Sequence, residues 1–195
     1  MEQHRMDVRE FYRNLPVLET IRLILRPINL ADLEDMFVYA SDEKVTRLLR
    51  WGPHKTKEET ESYIRTVELE YKEGKDGPWG IEYKKTGSLI GSIHLMEISA
   101  QHRKAEIGYV LSRAYWNRGV MSEALARVLV LAFDQLGLNR IEGFCQVDNH
   151  SSRRVLEKAG MKEEGVLRDY VYQKGAFRDL FLFSILKREW EAMGH

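Results

Sequence analysis

The sequence predicts an α/β chain of the α+β type, a mixed and mainly antiparallel sheet of about seven strands flanked by helices. Two observations carry this expectation. Apolar strand-like runs follow one another with short turns before the one long amphipathic helix, and the chain finishes on a hairpin signal around Lys174 and Gly175. A doubly wound parallel sheet would need helices alternating regularly with strands, and this order fits it worse.

Within residues 1–16, Val8, Phe11, Tyr12 and Leu15 recur at helical spacing until Pro16, which reads as an N-terminal helical extension ahead of one domain over residues 17–195. Ile21, Leu23 and Leu25 alternate with Arg22, Ile24 and Arg26 before Pro27, the pattern of a strand that proline ends. Asn29 then caps a helix through Tyr39. A second helix is expected from Thr56 to Lys72, with Thr60, Tyr63, Ile64, Val67 and Tyr71 on one face and Thr56 with Glu59 as a capping box.

Trp79–Tyr83, Leu89–Met96 and Ala105–Leu111 read as three antiparallel strands. Met121–Leu136 is an amphipathic helix with its apolar stripe on Leu125, Val128, Leu129 and Ala132, stopping before Gly137. Arg140–Val147 is a buried strand, Ser151–Ala159 a short helix ending at Gly160, and Met161–Tyr172 with Ala176–Leu186 a hairpin.

Bulk properties narrow the function classes. Lys plus Arg and Asp plus Glu are 30 each, so no net field draws the chain to nucleic acid or an anionic membrane. The single cysteine, Cys145, rules out an intrachain disulfide framework and fits the cytoplasm; it sits in a run that reads as an interior strand, where thiols behave as small hydrophobes. No apolar run approaches the roughly 18 residues of a membrane span, and the six histidines have no metal-site spacing, so neither membrane nor metal is expected.

The most informative stretch is Trp116, Asn117, Arg118, Gly119, Val120, Met121 and Ser122, between a strand and the long helix. A helix start offers unpaired amides and the positive end of its dipole, and Gly119 lets backbone approach a pyrophosphate, with Arg118 adding charge. A turn glycine and a capping Ser122 would explain the same residues locally. The segment matches neither a nucleoside triphosphate loop nor a dinucleotide fingerprint.

Together with the run from Asp148 to Met161, DNHSSRRVLEKAGM, this pattern resembles the GNAT superfamily of N-acetyltransferases. More narrowly, ETIRLILRPINLADLEDMF, the triplet Ile107–Tyr109 and YWNRGVMSEAL resemble the RimJ/RimL-type branch that acetylates protein N-termini. The resemblance implies acetyl-CoA held in a V-shaped opening between two strands, its pyrophosphate on amides of Arg118, Gly119, Val120, Met121 and Ser122. It also implies Asn149 near the pantetheine arm and Ser152 near the thioester sulfur, although both residue types also suit helix starts. A backbone amide around Val110 or Leu111 would serve the oxyanion.

Acetyl transfer to an amine needs a neutral nitrogen, an oxyanion stabiliser and a proton for the thiolate. Glu106 is the first candidate base and Asp169 the second, because Val171 stands where the branch can place a glutamate. Leu156 stands where many members carry a tyrosine acid, which leaves Ser152 for the thiolate. Trp51 either lines the acceptor entrance or anchors its loop to the core. The acceptor is expected to be a protein N-terminal α-amine, ribosomal proteins included, with a polyamine or other small amine as the alternative. A non-catalytic acetyl-CoA sensor or scaffold is the competing class, and a homodimer is compatible with the sequence.

Overall fold

A computed structural model describes residues 7–194. Its centre is an eight-stranded sheet in the order β1-β2-β3-β4-β5-β6-β8-β7. The strands are β1 (Leu18–Glu19), β2 (Leu23–Pro27), β3 (Trp79–Tyr83), β4 (Ser88–Ser99), β5 (Lys104–Leu111), β6 (Arg140–Gln146), β7 (Lys162–Gln173) and β8 (Ala176–Leu186). Every neighbouring pair is antiparallel except β5 with β6, as the mixed sequence order required.

The helices are α1 (Val8–Arg13), α2 (Leu33–Ala40), α3 (Glu43–Thr46), α4 (Lys57–Glu73), α5 (Val120–Val130), α6 (His150–Lys158) and α7 (Lys187–Ala192). They bury two apolar layers. The larger collects Leu23, Trp79, Ile93 and Ile107 from the sheet with Leu125 and Val128 of α5, Leu156 of α6 and Trp190 of α7. The smaller sets Met36, Tyr39, Ile64 and Val67 of α2 and α4 against Ile28 and Leu89. Tyr12 and Leu15 join the larger layer, and the Tyr12 hydroxyl donates to the Leu95 carbonyl at 2.6 Å.

Local rules account for most boundaries. Asn29 accepts from Ala31 N and forms a reciprocal capping box with Asp32, which starts the turn leading into α2. Gly74, left-handed at φ 68°, ends α4. Lys174 and Gly175, at φ 50° and 82°, make the two-residue turn joining β7 to β8.

Four expectations need correction. The first long strand begins at Leu23 rather than Ile21, because Thr20 N bonds the Leu23 carbonyl at 3.0 Å in a turn that leaves Ile21 94% exposed. The short β1, too brief for any periodicity, raises the strand count to eight. Thr56 precedes α4 without a side-chain cap, since Glu59 accepts from Lys55 N at 2.7 Å, one residue too early for a capping box. The long helix is α only to Val130 and finishes as a π turn over Leu131–Gln135.

Candidate functional site

The parallel ladder between β5 and β6 runs from Lys104 opposite Arg140 only to Ile107 opposite Gly143. Beyond it the strands splay, so Gly108–Leu111 and Phe144–Gln146 face a cleft of about 1210 Å³ instead of each other. On that edge β5 has no ladder partner among the described residues; Val110 and Leu111 line the cleft, and the Leu111 carbonyl accepts from Trp116 Nε1 at 2.8 Å.

One end of the cleft is formed by the start of α5. Gly119 precedes α5 at φ 70°, and a Cβ built there would meet only an Arg22 guanidinium nitrogen, at 3.8 Å. The first amide to bond within the helix is that of Glu123, to the Gly119 carbonyl at 3.1 Å. The amides of Val120, Met121 and Ser122 therefore belong to the unpaired first turn, and all three residues line the cleft. The loop is braced from behind: Arg22 donates to the Arg118 carbonyl at 3.0 Å and to Glu123 at 2.6 Å.

Two local expectations change here. Ser122 lies inside α5 and caps nothing, because Gly119 holds the cap position. The exposed Arg118 guanidinium lies over the Tyr115 ring at 5.9 Å and is absent from the cleft wall. Arg154 and Lys158, which sequence reasoning passed over, supply side-chain cations to that wall instead.

α6 forms the adjoining wall. The Asn149 side chain accepts from Ser152 N at 3.1 Å, so it is an N-cap and also lines the cleft. The Ser152 hydroxyl pairs with the Tyr109 hydroxyl at 2.8 Å, and the Tyr109 hydroxyl also donates to the Ser152 carbonyl at 3.3 Å. Burial pushes the Tyr109 phenol up, although its bond to Ser152 opposes this, so the ring stays protonated. Cys145 lies beside the same serine, and burial pushes its thiol up to about 11, so it stays neutral and unreactive. Tyr109 was missed as a site residue, although the triplet Ile107–Tyr109 had marked its position.

The opposite face of β5 carries Glu106, three residues from Tyr109 and so on the other side of the pleat. It is 19% exposed, opposite Met96 on β4 and Glu142 on β6. Burial raises its carboxyl pKa, Arg50 opposes the rise at 3.6 Å, and Glu97 and Glu142 add to it. Next to it His94 lines the cleft with Nε2 buried and unpaired among the described residues, and burial lowers the ring to about 4.

The segment joining α3 to α4 roofs this side. Gln146 Nε2 donates to the Leu48 carbonyl at 3.2 Å, Gln173 Nε2 to the Leu49 carbonyl, and Lys174 Nζ to the Thr46 carbonyl at 2.6 Å. These three bonds hold Arg50 and Trp51 at the entrance. Trp51 is 37% exposed and lies against His54 at 5.3 Å, so it lines the entrance and does not anchor the core.

Asp169 is not brought in. It sits at φ 49° in a bulge of β7 between Leu167 and Val171, exposed, with its amide bonded to Asp179 at 2.8 Å. Val171 and Leu156, where the resemblance expects a carboxylate and a tyrosine, do line the cleft. The glutamates of α4 stay outside, and Tyr63 alone represents that helix in the wall. Among the described residues no group of His, Cys, Asp or Glu is arranged for a metal ion, and no helix is long and apolar enough to cross a membrane.

Comparison with known proteins converges on one family. The family described as acetyltransferase (GNAT) domain matches residues 22–162. The uncharacterized N-acetyltransferase YoaA of Bacillus subtilis is 41% identical over 88% of this chain and 97% of its own length. The ribosomal-protein-serine acetyltransferase of Escherichia coli is 34% identical over 51% of this chain and 56% of that protein, and the spermidine N(1)-acetyltransferase of Vibrio cholerae is 28% identical over 53% and 60%. A solved structure of Mycobacterium smegmatis RimJ with CoA-disulfide superposes with a TM-score of 0.76 at 25% identity, over 92% of this chain and 95% of that one.

Proposed function

The chain belongs to the GNAT acetyltransferase family and is an acetyl-CoA-dependent N-acetyltransferase, and from that premise we propose that it acetylates the α-amine of a protein N-terminus. The observation that carries the proposal is the half-buried Glu106 on the cleft wall, beside the segment that carries Arg50 and Trp51. An α-amine, with a reference pKa of about 7.7 to 8.0, needs only a modest base, whereas amines near 10.4 need more help. The similarity to a ribosomal-protein-serine acetyltransferase supports the same acceptor, and the spermidine enzyme supports the alternative. The α4 glutamates that a polyamine pocket would draw on lie outside the cleft.

In this mechanism acetyl-CoA supplies an activated thioester, and the amine attacks it directly without a covalent enzyme intermediate. Val120, Met121 and Ser122 amides hold the pyrophosphate, and Arg154 and Lys158 add charge. The open edge at Val110 and Leu111 provides an amide for the oxyanion. Glu106 takes the proton from the ammonium before attack, directly or through water. As the tetrahedral intermediate collapses, the second nitrogen proton passes through water to the departing sulfur, to which Ser152 donates a hydrogen bond, and Tyr109 orients Ser152. Residues 17–195 form the catalytic domain of a cytoplasmic enzyme in this reading, with residues 1–16 as its extension.

The test is thiol release from acetyl-CoA with purified protein and a panel of N-terminal peptides, lysine peptides and polyamines. Turnover is expected on free α-amines. Turnover confined to polyamines would replace the acceptor, and tight donor binding without turnover on any acceptor would make the chain a sensor or scaffold.

A further inference from the structure

Resting on that reading of the acceptor, we infer that the peptide behind the reactive amine is acidic and leaves the cleft along a cationic track formed by residues 44–55. The track begins at the cleft mouth with Lys44, Arg47 and Arg50. Lys44 and Arg47 are exposed, and neither has a carboxylate within ion-pair distance among the described residues. Their neighbour Asp42 is taken by Arg113 at 2.8 Å. Arg50 is 65% exposed and reaches only Glu106, at 3.6 Å.

A second depression of about 600 Å³ shares Lys44 and Arg47 with the cleft and adds Lys55 and Lys174, against one carboxylate, Glu43. Part of the Lys174 charge is spent on the carbonyls of Thr46 and Arg47. Among the described residues the cleft walls carry two carboxylates, Glu106 and Asp148. A polycation would meet like charge at the mouth and again in the depression, which disfavours it. An acidic chain meets Arg50, Lys44, Arg47 and Lys55, with Lys174 behind them, along a surface that a small amine would not span.

Arg50 couples the track to the chemistry. In the free protein its guanidinium lies closest to the carboxylate that the acceptor ammonium must reach. An acidic side chain one or two residues behind the amine offers Arg50 a second partner and leaves Glu106 to the ammonium. The same charge that guides the acceptor thus clears its seat.

The full chain is tested with three peptides of equal length, each starting with serine and carrying acidic, neutral or basic residues at the next four positions, with spermidine as a fourth acceptor. We expect kcat/KM for the acidic peptide to exceed that for the basic one by about tenfold at low ionic strength and the gap to narrow in high salt. The double variant Lys44→Glu with Arg47→Glu should reverse the order while CoA affinity and thermal midpoint stay those of the wild type, since both side chains are exposed. Peptides turned over without a charge preference, or a preference unmoved by the double variant, would overturn the track alone. Peptides left unacetylated while spermidine is consumed would overturn the acceptor class as well.

Discussion

Gly119 separates backbone strain from donor binding and so gives the sharpest test of the cradle. It holds φ 70° immediately before α5, and an added Cβ would approach nothing closer than an Arg22 nitrogen at 3.8 Å. Gly119→Ala therefore carries the cost of a left-handed non-glycine residue, about 1 kcal/mol, and no clash. In a chain of this length that lowers Tm by about 2–4 °C. Gly119→Glu carries the same strain, while its carboxylate at a helix N-terminus is favoured in the free protein, so its Tm should fall no further than that of alanine. Donor affinity should divide the two variants. A carboxylate beside a diphosphate repels it by about 1 to 4 kcal/mol at 4 Å between water-like and surface dielectric, which is at least about a fivefold rise in Kd for acetyl-CoA beyond the alanine value. Calorimetric titration of both variants beside thermal unfolding reads both quantities. Equal Kd for alanine and glutamate would refute a pyrophosphate at this helix start.

Glu106→Gln should slow transfer, with the deficit shrinking as pH rises past the α-amine's own pKa, and a wild-type rate at every pH would remove Glu106 from the mechanism. Because burial raises the folded carboxyl pKa, the ionised side chain costs stability at neutral pH; Glu106→Gln should raise Tm there and lose that gain as pH falls through the raised folded value, the gain being gone below the unfolded one. Ser152→Ala should lower kcat with donor Kd nearly unchanged, while Tyr109→Phe, which removes a 2.8 Å bond, should cost about 1 kcal/mol of stability and a smaller part of kcat; a larger kcat loss in Tyr109→Phe would exchange the two roles. Gln173→Ala, which frees the Leu49 carbonyl, should raise acceptor KM without altering donor Kd, and a change confined to the donor would argue against an acceptor roof. Cys145→Ala should keep transfer activity, since a thiol held near 11 is no nucleophile, and loss of activity in a folded variant would reopen that question.

The sequence made legible what depends on periodicity and local caps. The stripe of Leu125, Val128 and Leu129 in α5 and Ala132 in the π turn is fully buried, Asn29 caps the turn that leads into α2, and the β7–β8 turn falls on Lys174 and Gly175. Short-range alternatives defeated it at the edges: two residues of β1 carry no pattern, and Glu59 found a nearer amide than the one a capping box requires. The Gly119–Ser122 end of the cleft was readable because it is contiguous in sequence, whereas the wall that holds the candidate base assembles Arg50, His94, Glu106, Tyr109 and Gln173 from four separate segments. Asp169 was plausible by proximity to Val171, but a bulge turns it away, and bulges leave little trace in alternation.

Strand alternation gives β5 a further role. Glu106 and Tyr109 are an odd number of residues apart, so the pleat directs them to opposite faces of one strand. Glu106 shares its face with His94 and the roof carrying Arg50 and Trp51, and Tyr109 meets Ser152 on α6. In the proposed mechanism the amine loses a proton on the first side and the thiolate is stabilised on the second, so the two proton-handling groups do not compete for one site. The ladder ends at Ile107, between them, which opens the sheet at the one place where a thioester lying against the β5 edge would be reachable from both faces. A register slip of one residue in β5 would exchange the two faces, placing a half-buried carboxylate against Ser152 and a phenol beneath the roof. The antiparallel pairing of β4 with β5, continuous from Gly91 opposite Leu111 to Met96 opposite Glu106, fixes that register and with it the division of labour.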